Sequence, residues 1–334
     1  MIKVSYQHES IRLTGRWDTT SEAQAVTTTP GAYLEFAFEG RMAMARFDIS
    51  ANETPYLHLW VQVDGGVMTE APIDYYLRVI APDEGRHICR IVYKGGSEAH
   101  RRWYAPLHGK VSFLGVYADN PVAIGEDTRR TIEFVGDSIT EGVLIDAEFS
   151  ENHAMHYDID QQNRVFQDDA CASYAWLTAQ KLNLRPIYMG YGAVGVTRSG
   201  QGKVPAAPIA YPYNFDGSPI TRKQPDIVLL NHGANDRHKP AELYLEKYGE
   251  TLDVIRKMNP GSLLVSVSPF CGAFHTELGE FVADYNRKNG CQVHYIDASG
   301  WVSPEPLHPM RDGHSTIADH LAPLLSEIIE KNMK

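Results

Sequence analysis

The apolar residues of this chain repeat with two different periods, and the change falls near residue 125. Before it, Leu34, Phe36 and Phe38 alternate with Tyr33, Glu35, Ala37 and Glu39, and Leu57, Leu59, Val61 and Val63 alternate with His58, Trp60 and Gln62. Successive side chains of an extended strand point to opposite faces, so a period of two marks half-buried antiparallel strands. Further β-prone runs occupy 88–93 and 111–117, and Asp64-Gly65-Gly66 and Lys94-Gly95-Gly96 supply glycines for turns that need positive φ. Many short strands without a helix predict an all-β sandwich of jelly-roll type over residues 1–125.

From about Arg130 the pattern changes. Apolar positions at helical spacing predict helices over 172–182, 241–258, 277–288 and 313–331, with short apolar runs at 226–231, 263–267 and 292–296 between them. Strands that alternate with helices form a parallel sheet covered on both faces, so residues 126–334 are expected to make an α/β domain. The junction over 119–127 is short and carries no low-complexity linker, which favours firm packing of the two parts.

In open α/β sheets, reacting groups collect just beyond the carboxyl ends of the strands. At 131–140 an apolar run ends in Gly136-Asp137-Ser138, which puts a serine at such an edge. A serine hydroxyl at its ordinary pKa is a weak nucleophile and needs a neutral imidazole within reach to take its proton. His308 is the candidate base. Three further segments stand at strand-to-loop or loop-to-helix junctions: Tyr191-Gly192-Ala193-Val194-Gly195, His232-Gly233-Ala234-Asn235-Asp236 and Glu305-Pro306-Leu307-His308-Pro309.

These four segments, in this order, resemble the signature blocks of the SGNH (GDSL-type) hydrolase superfamily: Gly-Asp-Ser, a glycine-bearing second block, Gly-x-Asn-Asp and Asp-x-x-His-Pro. The resemblance implies a flavodoxin-like, three-layer α/β/α domain with Ser138 as nucleophile and His308 as base. It also implies an oxyanion hole made by the N–H of Ser138, the N–H of Gly195 and the side-chain amide of Asn235. Such donors matter because losing one costs about 100- to 1,000-fold in rate. The chain departs from the pattern at Glu305, where the family has aspartate. Either Glu305 orients His308, or a backbone carbonyl does so and the pair acts as a dyad.

A β-sandwich ahead of such a domain is similar to the carbohydrate esterases of family two, which implies removal of O-acetyl groups from a carbohydrate through an acyl-enzyme intermediate. The alternatives are a lipid esterase or thioesterase of the same superfamily and an inactive carbohydrate-binding protein. No cofactor and no metal are expected. The histidine-carboxylate run Glu148, Glu151, His153, His156, Asp158 and Asp160 fits no common ligand spacing, and His314 and His320 point to different helix faces. Trp60, Trp103 and Tyr104 are expected to pack in the core or between domains, with stacking on sugar rings as the functional alternative. The loops 146–169 and 200–224 are candidates for lids or binding loops.

Composition narrows the partners. With 31 basic and 42 acidic residues the formal charge is −11, which argues against a nucleic-acid partner. No run approaches the ~18–20 apolar residues that span a bilayer, so no membrane partner is expected. Residues 1–9 lack the ~7–15-residue apolar core of a signal peptide, which sets the expectation of a cytoplasmic protein. Cys89, Cys171, Cys271 and Cys291 form no Cys-x-x-Cys pair and are expected to be free thiols.

Overall fold

The computed structural model describes residues 1–146 and 164–333. The N-terminal part is an antiparallel sheet of nine strands: β1 (Ile2–Ser5), β2 (Ile11–Thr14), β3 (Ala25–Thr27), β4 (Tyr33–Phe47), β5 (His58–Val63), β6 (Thr69–Pro72), β7 (Tyr76–Ile80), β8 (Arg86–Gly95) and β9 (Val111–Pro121). The long strand β4 holds this part together. Its first half pairs with β2 and β8, its second half with β7 and β9, and the register shifts between Glu39 and Ala43. Gly40 sits at that irregularity with φ of 110°, where a β-carbon would stand 2.7 Å from Asp119 Cβ. An extra residue at a bulge bends a strand, so one strand serves both halves of the sheet.

Leu34, Phe36 and Phe38 enter the N-terminal core with Leu57 and Leu59, as their alternation predicts. The opposite face differs from expectation. Tyr33, Glu35 and Ala37 are also buried. Tyr33 packs edge-on to Trp176 of the C-terminal part, at 5.9 Å between ring centroids, and Glu35 is held between Arg12 and Arg90. Asp64-Gly65-Gly66 turns between β5 and β6, with Asp64 and Gly65 at positive φ. Lys94-Gly95-Gly96 is no hairpin turn: Lys94 Nζ donates to the carbonyls of Val165 and Asp168, at 2.7 and 3.0 Å, so this segment docks onto the C-terminal part.

The C-terminal part contains β10 (Thr131–Gly136), α1 (Ser138–Glu141), α2 (Arg164–Gln167), α3 (Tyr174–Lys181), β11 (Arg185–Gly190), α4 (Ala207–Ala210), β12 (Tyr213–Phe215), β13 (Ser218–Pro219), β14 (Ile227–Asn231), α5 (Ala241–Met258), β15 (Leu263–Val267), α6 (His275–Asn289), β16 (Val293–Ile296) and α7 (Arg311–Asn332). Five of these strands form a parallel sheet in the order β11-β10-β14-β15-β16. This is the flavodoxin-like order, with β10 first in sequence and second in space. Ile132, Phe134 and Leu229 face α3 and α7 on one side, while Val135, Val228 and Leu230 face α5 and α6 on the other. The sheet is therefore a middle layer, and its strands are apolar throughout for that reason.

Glu133 is the exception on β10. It is wholly buried, accepts from Arg16 Nε at 3.0 Å and Tyr211 Oη at 2.6 Å, and pairs with Arg222. Burial alone would push its carboxyl up, but the charges of Arg16 and Arg222 bring it down to about 2. Removing one member of a buried ionic group leaves the others uncompensated, at a cost of roughly 3–5 kcal/mol. Glu133→Ala is expected to lower the urea midpoint accordingly. The folded-state value lies below the ordinary 4.5, so the stabilisation is complete above pH 4.5 and is lost as pH falls towards about 2. The gap between wild-type and variant midpoints should narrow over that window, and a gap independent of pH would contradict the assignment.

Candidate active site

The parallel register places Gly136 beside Gly190 on β11 and beside Asn231 on β14, so the loops after three neighbouring strands leave one edge together. At Gly136 the chain must turn sharply. A β-carbon there would stand 2.0 Å from Thr140 Oγ1 and 2.8 Å from the Asn231 carbonyl. Asp137 caps the next helix, its Oδ1 accepting from Ile139 N at 3.0 Å, and Ser138 becomes the first helical residue. The first N–H groups of a helix have no intrahelical acceptor, so the Ser138 N–H is available at this edge. Burial raises the Asp137 carboxyl to about 7, with the Ile139 N–H pulling the other way.

His308, ahead of α7, brings its Nε2 to 2.8 Å from Ser138 Oγ, and both residues are buried. Burial, then the nearby charges of Arg164 and Arg237, push the imidazole down to about 3. At neutral pH the ring is uncharged and can accept the serine proton. A hydroxyl hydrogen-bonded to a neutral imidazole is the arrangement that starts acyl transfer.

Two of the expected residues have other partners in the structure. Glu305 lies on an exposed turn between Pro304 and Pro306, and its carboxylate makes no hydrogen bond or ion pair with His308. Ser303 Oγ donates to the Glu305 carbonyl at 2.6 Å and accepts from its N–H at 3.3 Å, so the turn is closed through the backbone and the side chain points to solvent. The Gly195 N–H is also engaged, donating to the Arg198 carbonyl at 3.0 Å. Glycine is required there for another reason: a β-carbon would stand 2.5 Å from Asp236 Oδ1. Asp236 accepts from Val196 N, Thr197 N and Thr197 Oγ1, at 3.1, 3.0 and 2.6 Å, and so fixes the loop after β11. The Asn235 amide donates one hydrogen to the Val194 carbonyl at 3.0 Å and keeps its second.

Asp236 was missed as an organiser although it stands beside Asn235 in the same block. The other sequence candidates fall elsewhere. His314 accepts from Tyr174 N at 3.0 Å and His320 stacks on Trp301, so the three histidines of this region have separate partners. Trp103 is buried against Tyr191, Trp60 donates to Asp169 Oδ1 at 2.9 Å, and Tyr104 is exposed. Tyr211 and Arg222, from the loop 200–224, both reach Glu133, so this segment braces the sheet. Of the loop 146–169, the carboxylates and histidines at 148–160 lie outside the described residues. All four cysteines are free. Among the described residues, no helix is long and apolar enough to cross a membrane.

A parallel sheet in flavodoxin-like order with a serine-imidazole pair at its carboxyl edge defines the SGNH type of hydrolase fold. Comparison with known proteins gives the particular kin. The acetylxylan esterase / glucomannan deacetylase of Cellvibrio japonicus is 22% identical over 344 residues, covering 96% of this chain and 89% of that protein. The structure of a family two carbohydrate esterase from Cellvibrio japonicus superposes with a TM-score of 0.81 at 20% identity, covering 98% of each chain. A family two carbohydrate esterase from Clostridium thermocellum, solved with cellohexaose, gives 0.74 at 22% identity over 96% of this chain and 98% of that one. No family model matches the sequence. These neighbours point to carbohydrate esterase family two, the resemblance drawn from a β-rich N-terminal part ahead of the four blocks.

Two outcomes follow from this geometry. The pH profile of kcat/KM reports the free enzyme's essential base. Its acid limb, measured on an aryl acetate, is expected well below the ordinary histidine value of 6.5, and a limb at or above 6.5 would contradict a buried neutral His308. Glu305→Gln should leave kcat/KM within about twofold of wild type, since an exposed side chain without a partner has little to lose; a hundredfold loss would restore Glu305 to the site.

Proposed function

We propose that this protein is a serine esterase that removes O-acetyl groups from a carbohydrate through an acyl-enzyme intermediate. The observation that carries this reading is the 2.8 Å contact between Ser138 Oγ and His308 Nε2 at the carboxyl edge of the parallel sheet. Similarity along the whole chain to an acetylxylan esterase / glucomannan deacetylase supports the choice of acyl group and substrate. A family two carbohydrate esterase solved with cellohexaose supports an oligosaccharide as the substrate class.

In this reading Ser138 Oγ attacks the acetyl carbonyl carbon while His308 Nε2 takes its proton. The negative charge that forms on the carbonyl oxygen is met by the Ser138 N–H and the second Asn235 amide hydrogen, with Gly195 contributing if its N–H leaves the Arg198 carbonyl. Collapse of the tetrahedral intermediate breaks the bond to the sugar oxygen, which receives the proton from His308. Water, deprotonated by the same imidazole, then attacks the acetyl-enzyme; the bond between Ser138 Oγ and the acyl carbon breaks, Oγ takes the proton back from His308, and acetate leaves. His308 acts with Ser138 as a dyad as far as Glu305 is concerned. No step requires a cofactor.

We further assign residues 1–125 to a jelly-roll sandwich and 126–334 to the hydrolase domain. The antiparallel pairing through Pro121 and the start of the parallel sheet at Thr131 support this division.

Acetate release from acetylated xylo-, manno- and gluco-oligosaccharides tests the proposal. Ser138→Ala is expected to reduce release by at least about 10⁴-fold while leaving the circular dichroism spectrum unchanged. Serine-dependent cleavage confined to octanoyl esters would move the substrate to lipids. Unchanged glycan binding with no acetate released by wild type would make the chain a binding protein.

A further inference from the structure

The helix α1 that carries Ser138 is only one turn long, and among the described contacts its last residue is held by a side chain of the N-terminal part. Glu141 is buried, and both of its carboxylate oxygens receive hydrogen bonds from the guanidinium of Arg102, which is buried too. Arg102 lies in the segment between β8 and β9 of the N-terminal part. Its backbone N–H donates to the Gly202 carbonyl at 3.0 Å, and its guanidinium lies over the Tyr191 ring, 5.2 Å from the centroid. Tyr191 directly follows β11 and opens the segment that runs to Gly195. Its hydroxyl is anchored in turn to Thr28 and Thr29, at 3.0 and 2.9 Å. One arginine therefore touches the C-terminal end of the helix that carries Ser138 and the first residue of the loop beside it.

We propose that Arg102 is a positioning residue for Ser138, acting through Glu141, so that the N-terminal part contributes to the reaction itself. This rests on the esterase reading above. A one-turn helix has too few internal hydrogen bonds to hold its own orientation. The space around it is tight: a β-carbon on Gly190 would stand 2.7 Å from Glu141 N, so a shift of the helix end is transmitted to β11. A two-point guanidinium-carboxylate contact fixes direction as well as distance. Misplacement of a nucleophile by about 1 Å costs on the order of 100-fold in rate. The contact lies outside the Ser138–His308 pair, so its loss should appear in kcat and not in KM.

The test uses the full chain with R102M, E141M, the R102M/E141M double variant and R102K. Either single change strands a buried charge and is expected to destabilise the fold. The double variant replaces the pair by apolar chains of similar length, an exchange buried ion pairs tolerate. Two readouts follow Ser138 directly: kcat and KM on 4-nitrophenyl acetate, and the rate at which a fluorophosphonate labels the serine. We expect the double variant to melt cooperatively, with kcat and labelling reduced at least about tenfold and KM within twofold. R102K, which keeps the charge without the two-point contact, is expected to lose at least about threefold in kcat. In any folded E141M protein, adding R102M should cause no further loss of rate. A folded double variant, or R102K, with the wild-type kcat and labelling rate would overturn the role of Arg102. A wild type that neither hydrolyses the acetate nor accepts the phosphonate would instead refute the esterase reading.

Discussion

The molecule is organised by the tightness of the exit from β10. This strand is paired on both edges, covered on both faces, and ends at a position where Thr140 and the Asn231 carbonyl leave no room for a side chain. A glycine there lets the chain fold back at once, and the Asp137 cap starts a helix on the next residue. Ser138 is thus placed by the backbone that leaves β10. Everything else at the site is brought to it: Asn235 by the neighbouring strand β14, the loop after β11 by Asp236, and His308 by the segment ahead of α7. Each of these contacts is long-range in sequence, and all depend on the parallel register that puts Gly136, Gly190 and Asn231 side by side.

Several polar and charged groups cross between the two parts of the chain. Arg16 reaches Glu133, Lys94 reaches the carbonyls of Val165 and Asp168, Trp60 reaches Asp169, and Arg102 reaches Glu141. Buried ion pairs add little net stability, because desolvation offsets most of the attraction. Their effect is on alternatives. A docking displaced by one residue would strand several charges in the interior at once, whereas an apolar interface would tolerate the slip. Apolar contact is supplied separately by Tyr33 against Trp176. The polar set therefore acts mainly to select one relative placement of the two parts, and that placement delivers Arg102 to the helix that carries Ser138.

Much of this was legible in the sequence, and the parts that were not share a cause. The helix predicted over 241–258 spans Ala241–Met258, and the strand at 263–267 spans Leu263–Val267, because both are covered on a single known face or on both faces. Ser138 was legible as a residue at a strand end, where the reacting groups of a parallel sheet collect, and His308 through its resemblance to the Asp-x-x-His-Pro block; the structure brings the two to 2.8 Å. The sequence left open whether Glu305 reaches His308, because a separation of three residues says nothing about where a side chain points when the turn is closed through Ser303. Gly195 was read as a donor to the substrate carbonyl, and the group that stands against it in the structure is the Asp236 carboxylate. Tyr33 and Glu35 were read as half-exposed because period-two alternation reports one packed face and carries no signal for a second domain lying on the other. Arg102 has no local signature at all: its partner is distant in sequence, and a lone arginine in a loop is ordinarily a solvated one.

The electrostatics of the site bear on the chemistry in two opposing ways. Burial and the charges of Arg164 and Arg237 disfavour the imidazolium form of His308, which keeps the base ready in the resting enzyme but makes the proton transfer from Ser138 harder. In the transition state, however, the imidazolium does not form alone. A negative charge develops on the acyl oxygen at the same time, and the cations that repel the imidazolium attract the oxyanion. The proposed reaction thus converts a neutral pair into two opposite charges at the carboxyl edge of the sheet. In this reading the Ser138 N–H and the Asn235 amide meet the oxyanion, and this makes the accuracy of the Ser138 position a quantity on which rate depends. A buried neutral base with a low basicity is useful only if the nucleophile and the oxyanion donors are held in register, which is what the β10 exit, the Asp236 loop anchor and the Arg102–Glu141 contact together provide.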